Sequence, residues 1–150
     1  MNLKRQSGVL LHPTSLPETP GIGTIGKQAY KFVDWLVSAK QSIWQILPYG
    51  PTGYGDSPYA SFSTFAGNPY FIDLDFLKDE GLLTEEELNS VDWGEDATLV
   101  DYGKIYAHRS EMLHLAFSRA RAKDREAVNV FYEENRDWLD GFALFCAVKA

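Results

Sequence analysis

Two short apolar runs, "SGVLLH" at residues 7–12 and "SIWQILP" at 42–48, bracket a stretch of helical periodicity, and this alternation limits the possible folds more than any other feature. Val9, Leu10 and Leu11 follow one another without a polar interruption, as in a parallel strand buried on both faces. The second run mixes β-branched and aromatic residues and is stopped by Pro48 and a glycine-rich stretch. Between the two, Ala29, Phe32, Val33, Leu36 and Val37 recur at helical spacing over 27–40, with Lys31, Asp34 and Ser38 on the wetter side. Strand, helix, strand in this order predicts an α/β fold with a right-handed parallel crossover.

From about residue 84 the pattern turns helical. "TEEE" at 84–87 is a capping-box signature, with Thr84 as N-cap and Glu87 reaching back to it. Further helices are expected over about 103–122 and 125–150. The second carries Val128, Phe131, Trp138, Phe142 and Phe145, with Gly141 inside it at a cost of roughly 1 kcal/mol relative to alanine. Its apolar stripe runs into "FCAVKA" with no capping glycine or trailing proline, so the 150 residues are expected to be the opening part of a longer chain.

The stretch "GPTGYGDSPYASFSTFAGNPYFIDL", residues 50–74, is rich in glycine, proline and aromatic rings and contains no lysine or arginine. A phosphate ligand calls for cations or a helix N-terminus, whereas rings beside short hydrogen-bonding side chains suit a neutral polyhydroxylated ligand such as a sugar. A net charge of −7 with scattered basic residues argues against nucleic acid or an anionic membrane surface as a partner. The single cysteine, Cys146, excludes an internal disulfide, and no apolar run approaches the roughly 20 residues a bilayer span needs. With a polar start at residues 1–6 and no sign of a secretory signal, the expected location is the cytoplasm.

"GIGTIG" at 21–26 satisfies G-x-G-x-x-G, but Pro13, Pro17 and Pro20 separate it from the preceding strand, where the first glycine should directly follow. The acidic residue expected at the end of the next strand is also missing, since 41–55 holds no Asp or Glu. "GIGTIGK" falls one residue short of a phosphate-binding loop because Gln28 stands where a magnesium-binding hydroxyl belongs. No nucleotide cofactor follows. His12 lies at the carboxyl end of the first strand, where parallel sheets meet ligands, while His108 and His114 sit on a helix without partners that would complete a metal spacing. Neither a metal site nor a Ser-His-Asp set is expected.

The segments "SGVLLHPTSLP", "GIGTIG", "WQILPYGPTGYGDSPY", "SFSTFAGNPYFIDL", "VDYGKIY" and "WLDGFALF", in this order along nearly the whole chain, resemble the amino-terminal part of the amylomaltases, the 4-α-glucanotransferases called disproportionating enzyme in plants. Tyr49 departs from the leucine usual in that family. The resemblance implies the opening portion of a (β/α)8 barrel with an inserted helical region, its first two strands being "GVLLH" and "IWQILP". A complete barrel takes about 250 residues, so the barrel here is incomplete. It also implies transfer of α-1,4-glucan segments between maltodextrins with retained configuration. Retention needs two carboxyl groups about 5 to 5.5 Å apart. In the family these come from later strands, so no catalytic residue is expected within 1–150, and the chain alone should be inactive. The predicted strand ends agree, offering no Asp or Glu before Asp56.

The substrate-binding candidates are Tyr59, Ser57, Asp56, Tyr54 and Tyr102. Tyr59 offers an apolar face for a glucose ring and a hydroxyl for a polar partner, although a tyrosine packed for loop stability would look the same. Asp56 and Ser57 precede Pro58, and either contact sugar hydroxyls or shape their own turn. Tyr54, flanked by Gly53 and Gly55, should project outward and, with Tyr102, hold a long glucan away from the reaction centre; Tyr102 serves equally well as a helix-entry packing residue. A non-catalytic module that binds α-glucan through the same loop remains the alternative.

Overall fold

In a computed structural model of the chain, which describes residues 5–17, 20–96, 98–120 and 122–149, the strands and helices grow from short-range signals. Strand β1 (Gly8–Leu10) pairs in parallel with β2 (Ile43–Gln45), in the register Gly8↔Ile43, Val9↔Trp44 and Leu10↔Gln45. Glycine at position 8 permits the close approach, because a Cβ there would lie 2.4 Å from the Ile43 carbonyl oxygen. The ladder continues through Leu11 N–H to the Gln45 carbonyl (3.0 Å), and the Trp44 indole N–H donates to the Leu11 carbonyl (2.7 Å).

Helix α1 (Lys27–Ser38) forms the crossover, as its periodicity predicts. Phe32 meets Trp44 edge-on, with ring centroids 5.0 Å apart, so α1 covers the Val9 and Trp44 side of the sheet. The opposite side differs from the expectation of burial on both faces: Leu10 is 57% and Ile43 44% exposed. The reason is architectural, since an apolar strand is buried twice only where a second layer covers it, and the sheet of the described residues has two strands and one covering helix. Helix α1 ends in a Schellman motif: Gln41 N–H bonds the Leu36 carbonyl and Lys40 N–H the Val37 carbonyl, with Lys40 itself left-handed at φ 54°.

Three helices build the inserted region. Helix α2 (Leu74–Asp79), which periodicity misses because it is so short, is bounded by an Asp73 N-cap and by Gly81 at φ 76°, beyond its end. Helix α3 (Glu85–Asn89) carries the expected capping box, with Thr84 Oγ1 accepting from Glu87 N–H and Glu87 Oε2 from Thr84 N–H. Helix α4 (Tyr102–Ser118) packs Met112 and Ala116 against Leu74, Leu83 and Leu88, a core shared by all three. Helix α5 (Ala122–Lys149) begins a few residues earlier than expected, and Ala150, its expected last residue, lies outside the described residues. It docks through Trp138 on Phe65 (5.8 Å) and Phe145 on Phe62 (5.3 Å). Among the described residues no helix is long and apolar enough to cross a membrane.

Candidate functional site

The carboxyl ends of the two parallel strands open onto one cavity of about 230 Å³. His12 enters it two residues beyond β1, and Leu47 and Pro48 enter it beyond β2. Thr52 and Asp56 come from the glycine-rich loop, Tyr70 from a one-turn helix at Pro69–Phe71, and Tyr102 from the first turn of α4. The loop is held in shape locally. An antiparallel bridge joins Thr52 to Ser61, and a Cβ on Gly50 would sit 2.3 Å from the Ser61 hydroxyl, so only glycine fits there. Asn68 starts the one-turn helix, its side-chain oxygen accepting from Tyr70 N–H at 2.9 Å, and its own N–H reaches back to the Tyr49 carbonyl.

The lining supplies hydroxyls and rings around a single described carboxylate, Asp56. Burial pushes the Asp56 carboxyl above its ordinary range, while hydrogen bonds from Thr52 (3.4 Å) and Tyr106 oppose that rise. Burial likewise raises Tyr70 and Tyr102. His12 stands edge-on to Phe71, with centroids 5.4 Å apart, and its Nδ1 is buried without a hydrogen-bond partner among the described residues. Burial lowers its pKa from 6.5, so the imidazole is neutral at pH 7. Hydroxyls, rings and one carboxylate are the groups that suit a neutral, hydroxylated ligand.

The five sequence candidates divide between two places. Asp56 and Tyr102 line the cavity. Ser57, Tyr59 and Tyr54 lie on the exposed outer side of the same loop, with Tyr54 fully exposed between two glycines whose added Cβ atoms would meet nothing within 4 Å. Tyr102 is half-buried in a wall shared with a larger cleft of about 860 Å³, which runs between Thr14–Pro17 and Pro20–Gly23 on one side and Leu88, Trp93 and Val100 on the other. Sequence reasoning placed His12 at a strand end without giving it a role, and it missed Thr14, Tyr70 and Tyr106. Both residues lie in segments that carry the resemblance, 61–74 and 100–106, but nothing local marks either one, because their meeting depends on how α4 folds back over the loop. Among the described residues no group of three or more His, Cys, Asp or Glu side chains could hold a metal ion.

Residues 11–150 match the family model described as 4-alpha-glucanotransferase. The chain is 53% identical over 147 residues to the 4-alpha-glucanotransferase of Streptococcus pneumoniae, covering 97% of this chain and 29% of that protein. It is 47% identical over 153 residues to the enzyme of that name from Thermus thermophilus, covering 99% and 30%. Among solved structures it is similar to amylomaltase from Streptococcus agalactiae in complex with acarbose, at a TM-score of 0.91 and 42% identity, over 97% of this chain and 30% of that one. The chain thus spans about 30% of the length of the relatives it matches.

Proposed function

The chain belongs to the 4-alpha-glucanotransferase family, and from that premise we propose that residues 1–150 form the opening segment of a (β/α)8 barrel enzyme that transfers α-1,4-glucan segments between maltodextrins. The cavity at the carboxyl ends of β1 and β2 carries this reading, because barrels gather their binding groups at that end. The uncovered side of the sheet supports the barrel itself: Leu10 and Ile43 are apolar positions that neighbouring strands would bury.

In this reading β1, β2, the 50–74 loop and the helical insertion belong to one catalytic barrel, acting in the cytoplasm. The nucleophile and acid/base of a retaining double displacement come from other strands, and this segment supplies substrate contacts. Tyr59 lays its exposed ring against a glucose unit near the cleaved bond, using an apolar face and a hydroxyl. Asp56 and Ser57 address sugar hydroxyls, while Tyr54 and Tyr102 make an outlying contact for long chains. The acarbose bound to the S. agalactiae amylomaltase supports an oligosaccharide-shaped ligand for this chain too.

The test compares protein expressed from the full reading frame with the 150-residue chain on maltotriose. The former should release glucose and build longer dextrins, and the latter should release none. A full-frame protein that binds maltodextrin yet produces neither product would leave only a glucan-binding module.

A further inference from the structure

The loop that carries Tyr54 and Tyr59 has little to hold it at its tip, since Gly53 and Gly55 stand in open space and Tyr54 is fully exposed. Its inner turn is tied down instead from α4. The Tyr106 hydroxyl donates to the Gly53 carbonyl oxygen at 3.2 Å. The Tyr70 and Tyr106 rings meet edge-on, with centroids 6.0 Å apart. A phenol has one O–H to donate, and that of Tyr106 is given to the loop. The loop end of this chain is itself a special conformation: Asp56 is left-handed at φ 52°, its N–H bonds the Gly53 carbonyl (3.1 Å), and its carboxylate also accepts from Thr52.

We propose that Tyr106 is a positioning residue whose hydroxyl, on a ring braced by Tyr70, latches the 52–59 loop to α4 and so sets where Tyr54 and Tyr59 stand against a bound α-glucan. The role of the latch in glucan binding rests on the function proposed above; the latch itself does not. Tyr106 is half-exposed, and its ring contact with Tyr70 survives loss of the hydroxyl, so Tyr106→Phe removes the latch while keeping the packing.

The experiment uses protein expressed from the full reading frame, with hydrogen exchange of peptides covering 52–61 and transfer kinetics on maltoheptaose. In Tyr106→Phe, exchange across 52–61 should quicken roughly fivefold, the equivalent of one net hydrogen bond, with α2 and α4 unchanged. KM for maltoheptaose should rise by a similar factor and kcat change less. Tyr70→Ala, which removes the bracing ring, should shift both readings the same way by a smaller amount. Unaltered loop exchange in Tyr106→Phe would overturn the latch, as would quickened exchange spread equally over α4 or a fall in kcat with KM unmoved. An unsubstituted protein with no transfer activity would overturn the glucan reading, and loop exchange would still judge the latch.

Discussion

Asp73 joins two helices through one buried carboxylate. Oδ1 accepts from Asp75 N–H (2.7 Å) and Phe76 N–H (3.3 Å) at the start of α2, and Oδ2 accepts from Lys27 N–H (3.3 Å) at the start of α1. Gly26 makes the second contact possible, because a Cβ there would fall 1.5 Å from Oδ2. Asp73→Ala should therefore lower the unfolding free energy by about 2 kcal/mol, more than an ordinary N-cap loss, as measured by urea titration. Gly26→Ala should destabilise in the same way, because its methyl would push the Asp73 carboxylate off the Lys27 N–H. Tyr59 is the opposite kind of residue: exposed, with no side-chain hydrogen bond among the described residues. Its replacement should leave the thermal midpoint nearly unchanged, whereas Tyr59→Ala in the full-frame enzyme should lower kcat/KM on maltotriose about tenfold, roughly 1.4 kcal/mol of ring contact. Equal turnover and affinity in Tyr59→Phe, Tyr59→Ala and the parent would remove the proposed role.

Among the elements, α1 and α3 carry opposite lessons about their ends. Lys40 occupies the left-handed position of the Schellman motif that closes α1, where a side chain other than glycine's crowds the following carbonyl. Lys40→Gly should raise stability by up to about 1 kcal/mol, read as a higher urea midpoint at constant slope. The end of α3 is tied to α4 by a bidentate pair, with Arg119 donating to Glu87 Oε1 (2.6 Å) and Oε2 (2.9 Å). These bonds, with the backbone bond from Thr84, hold the Glu87 carboxyl well below the usual carboxylate range, at about 2. A carboxyl depressed on folding stabilises fully above its ordinary value of 4.5, and that contribution is lost as pH falls through 4.5 towards about 2. Acid unfolding of Glu87→Gln should be less steep than that of the parent across this window, and parallel curves would show that the pair contributes nothing to the pH dependence.

For the whole molecule, the question is how far the loop and α4 act together on a long ligand. Tyr54 and Tyr102 belong to the same proposed outlying contact, yet Tyr102 is half-buried and part of the cavity wall, whereas Tyr54 is fully exposed. Replacing both with alanine should weaken transfer from amylose far more than from maltotriose. Tyr54→Ala alone should separate the two substrates more cleanly, because it leaves the cavity wall intact. Equal losses on both substrates would remove the outlying contact.

The sequence by itself determined the alternation of β1, α1 and β2, the capping box of α3, the family, and the character of the 50–74 loop, because each is written in neighbouring residues: a run, a periodicity, a cap, a composition. It also marked Tyr54 as a projecting ring, through the glycines on either side. Helix α2 was legible only through its ends, Asp73 and Gly81, since six residues are too few to show a period. Tertiary structure alone decided that Asp56 and Tyr102 share a cavity while Ser57 and Tyr59 face outward, and that Tyr70 and Tyr106 meet behind the loop. It also decided that the strands are covered on one face, a matter of which layers surround them and not of their own residues. Contacts between positions 53 and 106, or 26 and 73, depend on the path of the chain between them, and no local pattern encodes that path.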